Sequence, residues 1–194
     1  MGEYALVEGP MVEPLDVAEV KAHLRIDHSE EDLWLRAAIV AVRQRMEVFL
    51  GRALITQTWE ATWPTWPGGD ALELRPGPLQ SVVWVKTVDG AGVEGTMAAS
   101  GYVVDTRSRL GRVVLKSGVS WPWPAGGLAV ANGVVARYVV GYGPRARDVP
   151  QFLRSVMLMW VGDMYENRES VVVGTIATKL PTGVEAALWS WRVF

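Results

Sequence analysis

The sequence predicts an α+β chain, a small helical bundle formed by the N- and C-terminal helices with a β-rich insert between them. Three observations carry this. Apolar residues recur at steps of three and four near the start, alternate at steps of two through the middle, and return to steps of three and four after Asp148. Helical ends around a strand-rich middle fit an α+β arrangement, with the helices packed as one unit.

The elements follow in chain order. Residues 1–13 read as a flexible N-terminal arm, residues 14–53 and 148–180 as the helical core, residues 54–147 as the β-rich insert, and residues 181–194 as a C-terminal helix and tail. Asp16 can cap a first helix, with Glu19 completing a capping-box pattern and Val17, Val20 and Leu24 on one face. Ser29 is a good N-cap for a second helix, and Glu30, Glu31 and Asp32 suit its positive end. Leu35, Ile39, Val42, Met46 and Phe49 form one apolar stripe, Arg36, Arg43 and Glu47 fall off it, and Gly51 sits where a C′ glycine stops a helix.

From Leu54 the period becomes two. Ile55, Gln57, Trp59, Ala61 and Trp63 share one face of an expected strand. Further strands are expected at Ala71–Leu74, Ser81–Val88, Tyr102–Asp105, Arg112–Lys116 and Leu128–Val140, with a hairpin signal at Asp89-Gly90 and a turn or bulge at Asn132-Gly133. Asp148 can then cap a helix with Pro150 in its first turn, where Leu153, Met157, Trp160 and Met164 repeat at helical spacing. Residues Ser170–Leu180 read as an extended link. Thr182 and Glu185 form a second capping-box pattern, and Val184, Leu188 and Trp191 give a short apolar face.

Composition narrows the function. Hydrophobic residues make up 49% and charged residues 21%, so a buried core is expected. The net charge is −2, which lacks the basic footprint of a protein that grips nucleic acid by charge. There is no Cys and there are only two His, so disulfides, thiolate metal sites and a three-His zinc site within one chain are excluded. No stretch approaches the roughly 18–20 apolar residues of a membrane helix. The acidic N-terminus lacks the basic start of a signal peptide, so the chain is expected to be cytosolic where it is made.

No catalytic constellation emerges. The best enzyme lead, Gly141-Tyr142-Gly143-Pro144-Arg145-Ala146, follows a strand and precedes a helix as a dinucleotide-binding turn does. Pro144 removes a backbone donor there, and too little chain remains for a doubly wound domain. A tight turn using glycine's torsional freedom is the favoured reading. His23 and His28 read as polar helix-end and loop residues. Glu166 and Glu169 read as a solvated helix exit. Arg43, Arg45, Arg145 and Arg147 are the basic spots, candidates for contact with DNA or with a neighbouring subunit. Ten Trp, six of them at 59, 63, 66, 84, 121 and 123, are expected to fill core or interface, with a glycan- or protein-binding surface as the alternative.

Several stretches together resemble the phage head–tail connector (adaptor) family, in its longer form with a β insert. They are Val20-Lys21-Ala22-His23-Leu24-Arg25-Ile26-Asp27, Gly51-Arg52-Ala53-Leu54-Ile55-Thr56-Gln57-Thr58-Trp59, Pro78-Leu79-Gln80-Ser81-Val82, Tyr138-Val139-Val140-Gly141-Tyr142-Gly143 with Val149-Pro150, and Tyr165-Glu166-Asn167-Arg168-Glu169 with Val172-Val173-Gly174. The resemblance implies a structural virion protein of the neck, neither an enzyme nor a cofactor binder. It implies a homo-oligomeric ring, often dodecameric, beneath the portal protein. That ring would extend the DNA channel without sequence-specific binding, offer a platform for a downstream neck or tail protein, and touch no membrane. It also implies that the C-terminal segment reaches the portal. Val184, Leu188, Trp189, Trp191, Arg192 and Phe194 would supply that contact, the segment ordering fully on its partner.

Overall fold

The computed structural model describes residues 2–167 and 182–193, so the link at Ser170–Leu180 and Phe194 lie outside the described residues. The described chain is α+β, with four helices and eight strands in two antiparallel sheets. It divides into two compact units. One, of Met11–Ile55 and Gly143–Phe194, is helical; the other, of Met1–Pro10 and Thr56–Tyr142, holds the strands.

The helical unit contains α1 (Val17–Leu24), α2 (Asp32–Leu50), α3 (Gln151–Glu166) and α4 (Thr182–Trp189). Asp16 caps α1 by accepting the Glu19 N–H at 2.7 Å. Glu19 does not close the capping box, because its carboxylate takes the Arg154 guanidinium of α3 at 2.7 Å instead. α2 begins two residues later than Ser29 predicts: the Ser29 carbonyl accepts the Asp32 N–H in a turn, and Glu31 precedes the helix. Gly51 ends α2 in the left-handed region at φ 64°, as its position requires. α3 starts at Gln151, directly after Pro150, and not at an Asp148 cap. Leu35, Ile39, Val42, Met46 and Leu50 of α2 are buried, as are Leu153, Met157, Trp160 and Val161 of α3. These residues close a helix-on-helix core. Phe49 is only half-buried, and Leu50 takes its expected place on the inner stripe.

The largest departure inside this unit is Arg43, which sits 6% exposed on the inner side of α2. Its Nε donates to Glu13 at 2.7 Å and its Nη1 to Glu47 at 2.8 Å. Glu47 in turn accepts the Leu54 N–H at 2.8 Å. Burial acts to lower the Arg43 pKa, and the bonds and charges of Glu13 and Glu47 outweigh it, so the pKa is raised. A long side chain four residues from a carboxylate can be drawn inward once two acids converge on it. Helical spacing alone does not reveal that.

The β unit packs a five-stranded sheet, in the order β1-β2-β8-β4-β5, with a three-stranded sheet, β3-β7-β6. The strands are β1 (Glu3–Glu8), β2 (Gln57–Trp63), β3 (Ala71–Leu74), β4 (Leu79–Val88), β5 (Glu94–Thr96), β6 (Tyr102–Asp105), β7 (Gly111–Leu115) and β8 (Val134–Val140). Residues 3–8 therefore form an edge strand on β2 where a loose arm is expected. Their partner lies some fifty residues away in sequence, which a local reading cannot supply. β8 is shorter than the expected Leu128–Val140. Asn132 takes the left-handed region at φ 56°, and Leu128 makes an isolated bridge to Asp89.

Alternation is regular along β8, while β4 keeps it only from Trp84 onward, after register shifts at Leu79/Ser81 and Val82/Trp84. Ala61, Trp63, Val85, Val134, Ala136, Tyr138 and Val140 are buried on one face, while Glu60, Trp84, Lys86 and Arg137 stand on the other. Gly111 of β7 faces Leu79 of β4 so closely that a Cβ there would lie 2.1 Å from the Leu79 Cβ. The two sheets meet through that missing side chain. The Tyr138 hydroxyl donates to the Arg75 carbonyl, and burial pushes its pKa well above the usual value.

Candidate functional site: the assembly surfaces

α2 is apolar on two faces. Opposite its core stripe run Leu33, Ala37, Val40, Gln44 and Val48, at steps of four, three, four and four. Leu33 is 81% exposed and Val48 85% exposed. No charged residue interrupts this stripe over four turns. A helix with a second apolar face is built to be covered on both sides. The outer stripe was not picked out from sequence, although the spacing signal was there, because the inner stripe satisfies the pattern by itself.

The C-terminal segment is held against its own helical unit. Val184 and Leu188 are buried at 3% and 0% exposure. Val193 is buried too, and its N–H donates to the Leu50 carbonyl at 2.9 Å. Trp191 lies beyond the end of α4 and stacks on Phe152 at 5.7 Å. Arg192 lies over the rings of Phe49, at 5.1 Å, and Trp189, at 5.5 Å. Residues 182–193 thus pack on the helical unit within the single chain. Trp189, 54% exposed, is the large apolar group it turns outward.

The four basic candidates separate. Arg43 is enclosed, as described above, and is a structural residue of the helical unit. Arg145 is exposed but clasps Asp148 through Nε at 3.2 Å and Nη2 at 3.1 Å. Arg45 is half-buried and Arg147 is exposed. The same turn answers the nucleotide alternative. The Asp148 carboxylate accepts the Arg145 N–H at 3.0 Å and lies 2.5 Å from where a Cβ on Gly143 would be. The Asp148 carboxylate thus already takes the Arg145 backbone and guanidinium donors of this turn. The bond to Arg145 holds the Asp148 carboxyl below its usual range.

The tryptophans mostly serve the β unit. Trp66 and Trp121 stack at 4.4 Å and 12°, and their indole N–H groups donate to the Pro122 and Gly69 carbonyls at 2.8 Å. Trp63 meets Tyr4 edge-on. Trp84 lies beneath Lys86 and Arg137. Of the six central tryptophans only Trp123, at 64%, is exposed.

An open cleft in the helical unit presents His23, Arg25, Asp163 and Glu166, with Met159 at its side. Its charges are of both signs and exposed. Among the described residues no group of three or more His, Cys, Asp or Glu is placed to hold a metal, and no helix is long and apolar enough to cross a membrane.

Residues 14–98 match the family model of the phage gp6-like head-tail connector protein. No curated protein matches the chain. Among solved structures it is similar to a chain of the neck of an empty gene transfer agent particle computed with C6 symmetry, at 25% identity and a TM-score of 0.79, covering 99% of this chain and 96% of that one. It is also similar to a chain of the virion of a native gene transfer agent particle, at 26% identity and a TM-score of 0.78, covering 98% and 95%. A chain of the native particle's neck computed with C12 symmetry gives 28% identity and a TM-score of 0.70, covering 98% and 96%. The chain thus resembles the head–tail connector family in sequence over residues 14–98 and neck proteins in fold over nearly its whole length, and its role is that of a structural protein of a virion neck.

Proposed function

We propose that this chain is the subunit of a closed homo-oligomeric ring beneath the portal of a phage-like particle, joining head to tail and continuing the DNA channel. The observation that carries the ring is the outer stripe of α2, an apolar face that the single chain leaves uncovered. Likeness to chains from necks of C6 and C12 symmetry supports repetition about an axis. Ring contacts are heterologous, so the stripe must meet a different surface on the next copy. Replacing Leu33 and Val48 together by glutamate is expected to leave the monomer folded, because both are exposed, and to abolish ring formation in sedimentation velocity. A double variant that still forms rings removes α2 from the interface.

The C-terminal segment is proposed as the portal contact, with Trp189 as its outward anchor and Val184, Leu188, Trp191 and Arg192 as the packing that positions it. Deleting residues 182–194 would also strip Val184, Leu188 and Val193 from the helical core, so the sharper variant is Trp189→Ala. It is expected to weaken portal binding at least tenfold, about 1.4 kcal/mol or more, with little change in melting temperature. Unchanged affinity in a pull-down titration would move the portal contact elsewhere. A second reading, the β unit as a glycan- or tail-protein-binding module, rests on Trp123, and quenching of Trp fluorescence by added glycan tests it.

A further inference from the structure

We propose that the β6–β7 turn, Asp105 to Arg112, is a contact for the phosphate backbone of double-stranded DNA. The inference deepens the neck reading, which supplies the occasion for DNA to meet this turn. At this end of the three-stranded sheet, Glu73, Arg112 and Asp105 stand side by side in register across β3, β7 and β6. Just past β3, Arg75 Nη2 lies 3.8 Å from Glu73 Oε2, and Arg107 and Arg109 lie in the turn. Four guanidinium groups thus share one sheet end with two carboxylates, whereas the whole chain has 19 Lys and Arg against 21 Asp and Glu. The local excess of positive charge stands out against a slightly acidic background.

The turn is also fixed in shape. Asp105 Oδ1 accepts the N–H groups of Arg107 at 3.0 Å and Ser108 at 3.2 Å. Asp105 Oδ2 accepts from the Ser108 hydroxyl and, at 2.9 Å, from Arg112 Nε. These bonds hold the backbone from which the exposed Arg107 and Arg109 extend, so little ordering is needed on contact. A cluster of guanidiniums on a rigid turn suits phosphate oxygens, which accept paired N–H groups and carry no sequence information. Such a contact is weak for one subunit and repeated around a ring. It lies apart from the basic positions that the sequence marks out, of which Arg43 is enclosed and Arg145 clasps Asp148.

The test is fluorescence anisotropy of a labelled duplex of scrambled sequence, titrated with the full-length chain over a salt series. Wild type is expected to bind at low salt with a negative slope of log K against log salt. Replacing Arg107 and Arg109 together by glutamine should weaken binding by about tenfold at the lowest salt and flatten the slope by about 1.8, two contacts at about 0.9 each. Glu73→Gln, which removes a carboxylate from the same patch, should strengthen binding. Arg36→Gln on α2, a charge change of the same kind in the other unit, should leave it unchanged. No salt-dependent binding by wild type, an unchanged slope in the double variant, or an equal loss in Arg36→Gln would overturn the proposal. Portal binding, measured on the same proteins without DNA, reports on the neck reading separately: the double variant should keep it.

Discussion

Replacing Arg43 by alanine is expected to destabilise the helical unit by roughly 3–5 kcal/mol, the cost of leaving a buried ion pair without one member. The guanidinium is 8% exposed, Glu47 14% and Glu13 26%. Removing it leaves two partly buried carboxylates without the cation on which both converge. One of them, Glu47, also holds the Leu54 N–H, just where the chain leaves α2 through the buried Ala53, Leu54 and Ile55. Typical domains are stable by only about 5–15 kcal/mol, so such a loss would lower the thermal midpoint severely. Chemical denaturation of wild type and Arg43→Ala measures it. A loss below about 1 kcal/mol would return Arg43 to the surface role its sequence position suggests.

Gly111→Ala is expected to be the most damaging single methyl in the β unit. The added Cβ would meet the Leu79 Cβ at 2.1 Å, Cδ2 at 2.7 Å and Cγ at 2.9 Å. A Cβ cannot rotate away, so relief requires β7 and β4 to separate. Overpacking of this kind costs about 1–3 kcal/mol, and here the backbone itself must move. Gly126→Ala is the control, since nothing lies within 4 Å of its added Cβ and its φ is not in the left-handed range. Parallel melting curves should show a clear drop for Gly111→Ala and almost none for Gly126→Ala. Equal melting of the two would mean that the sheets are not in the contact described.

The helices and the central strands were legible because their signals are local. The α2 core stripe needs only the spacing of Leu35, Ile39, Val42 and Met46; β3 has the bounds that the turn-rich stretches on either side of it set, and β6 those of its Tyr-Val-Val run. What stayed hidden depends on partners distant in sequence. β1 needs β2 to be a strand at all. Arg43 needs Glu13 from thirty residues earlier, and Glu19 turns to Arg154 and not to its own helix end. Helix starts slipped for a local reason, since Ser29 and Asp148 each entered a turn with a residue three positions away in place of capping a helix. Among the surfaces, the C-terminal apolar residues were visible, but their burial against α2 and α3 was not. The outer stripe of α2 and the arginine turn at 107–109 become meaningful only when exposure is known.

The central claim is that this chain is made to close into a ring with copies of itself under a portal. Electron microscopy of the purified chain mixed with its cognate portal protein tests it most directly. The account predicts a ring of density stacked on one end of the portal, concentric with its channel and lost in the Leu33 and Val48 glutamate variant. Bare portal beside monomeric chain at saturating concentration would contradict it.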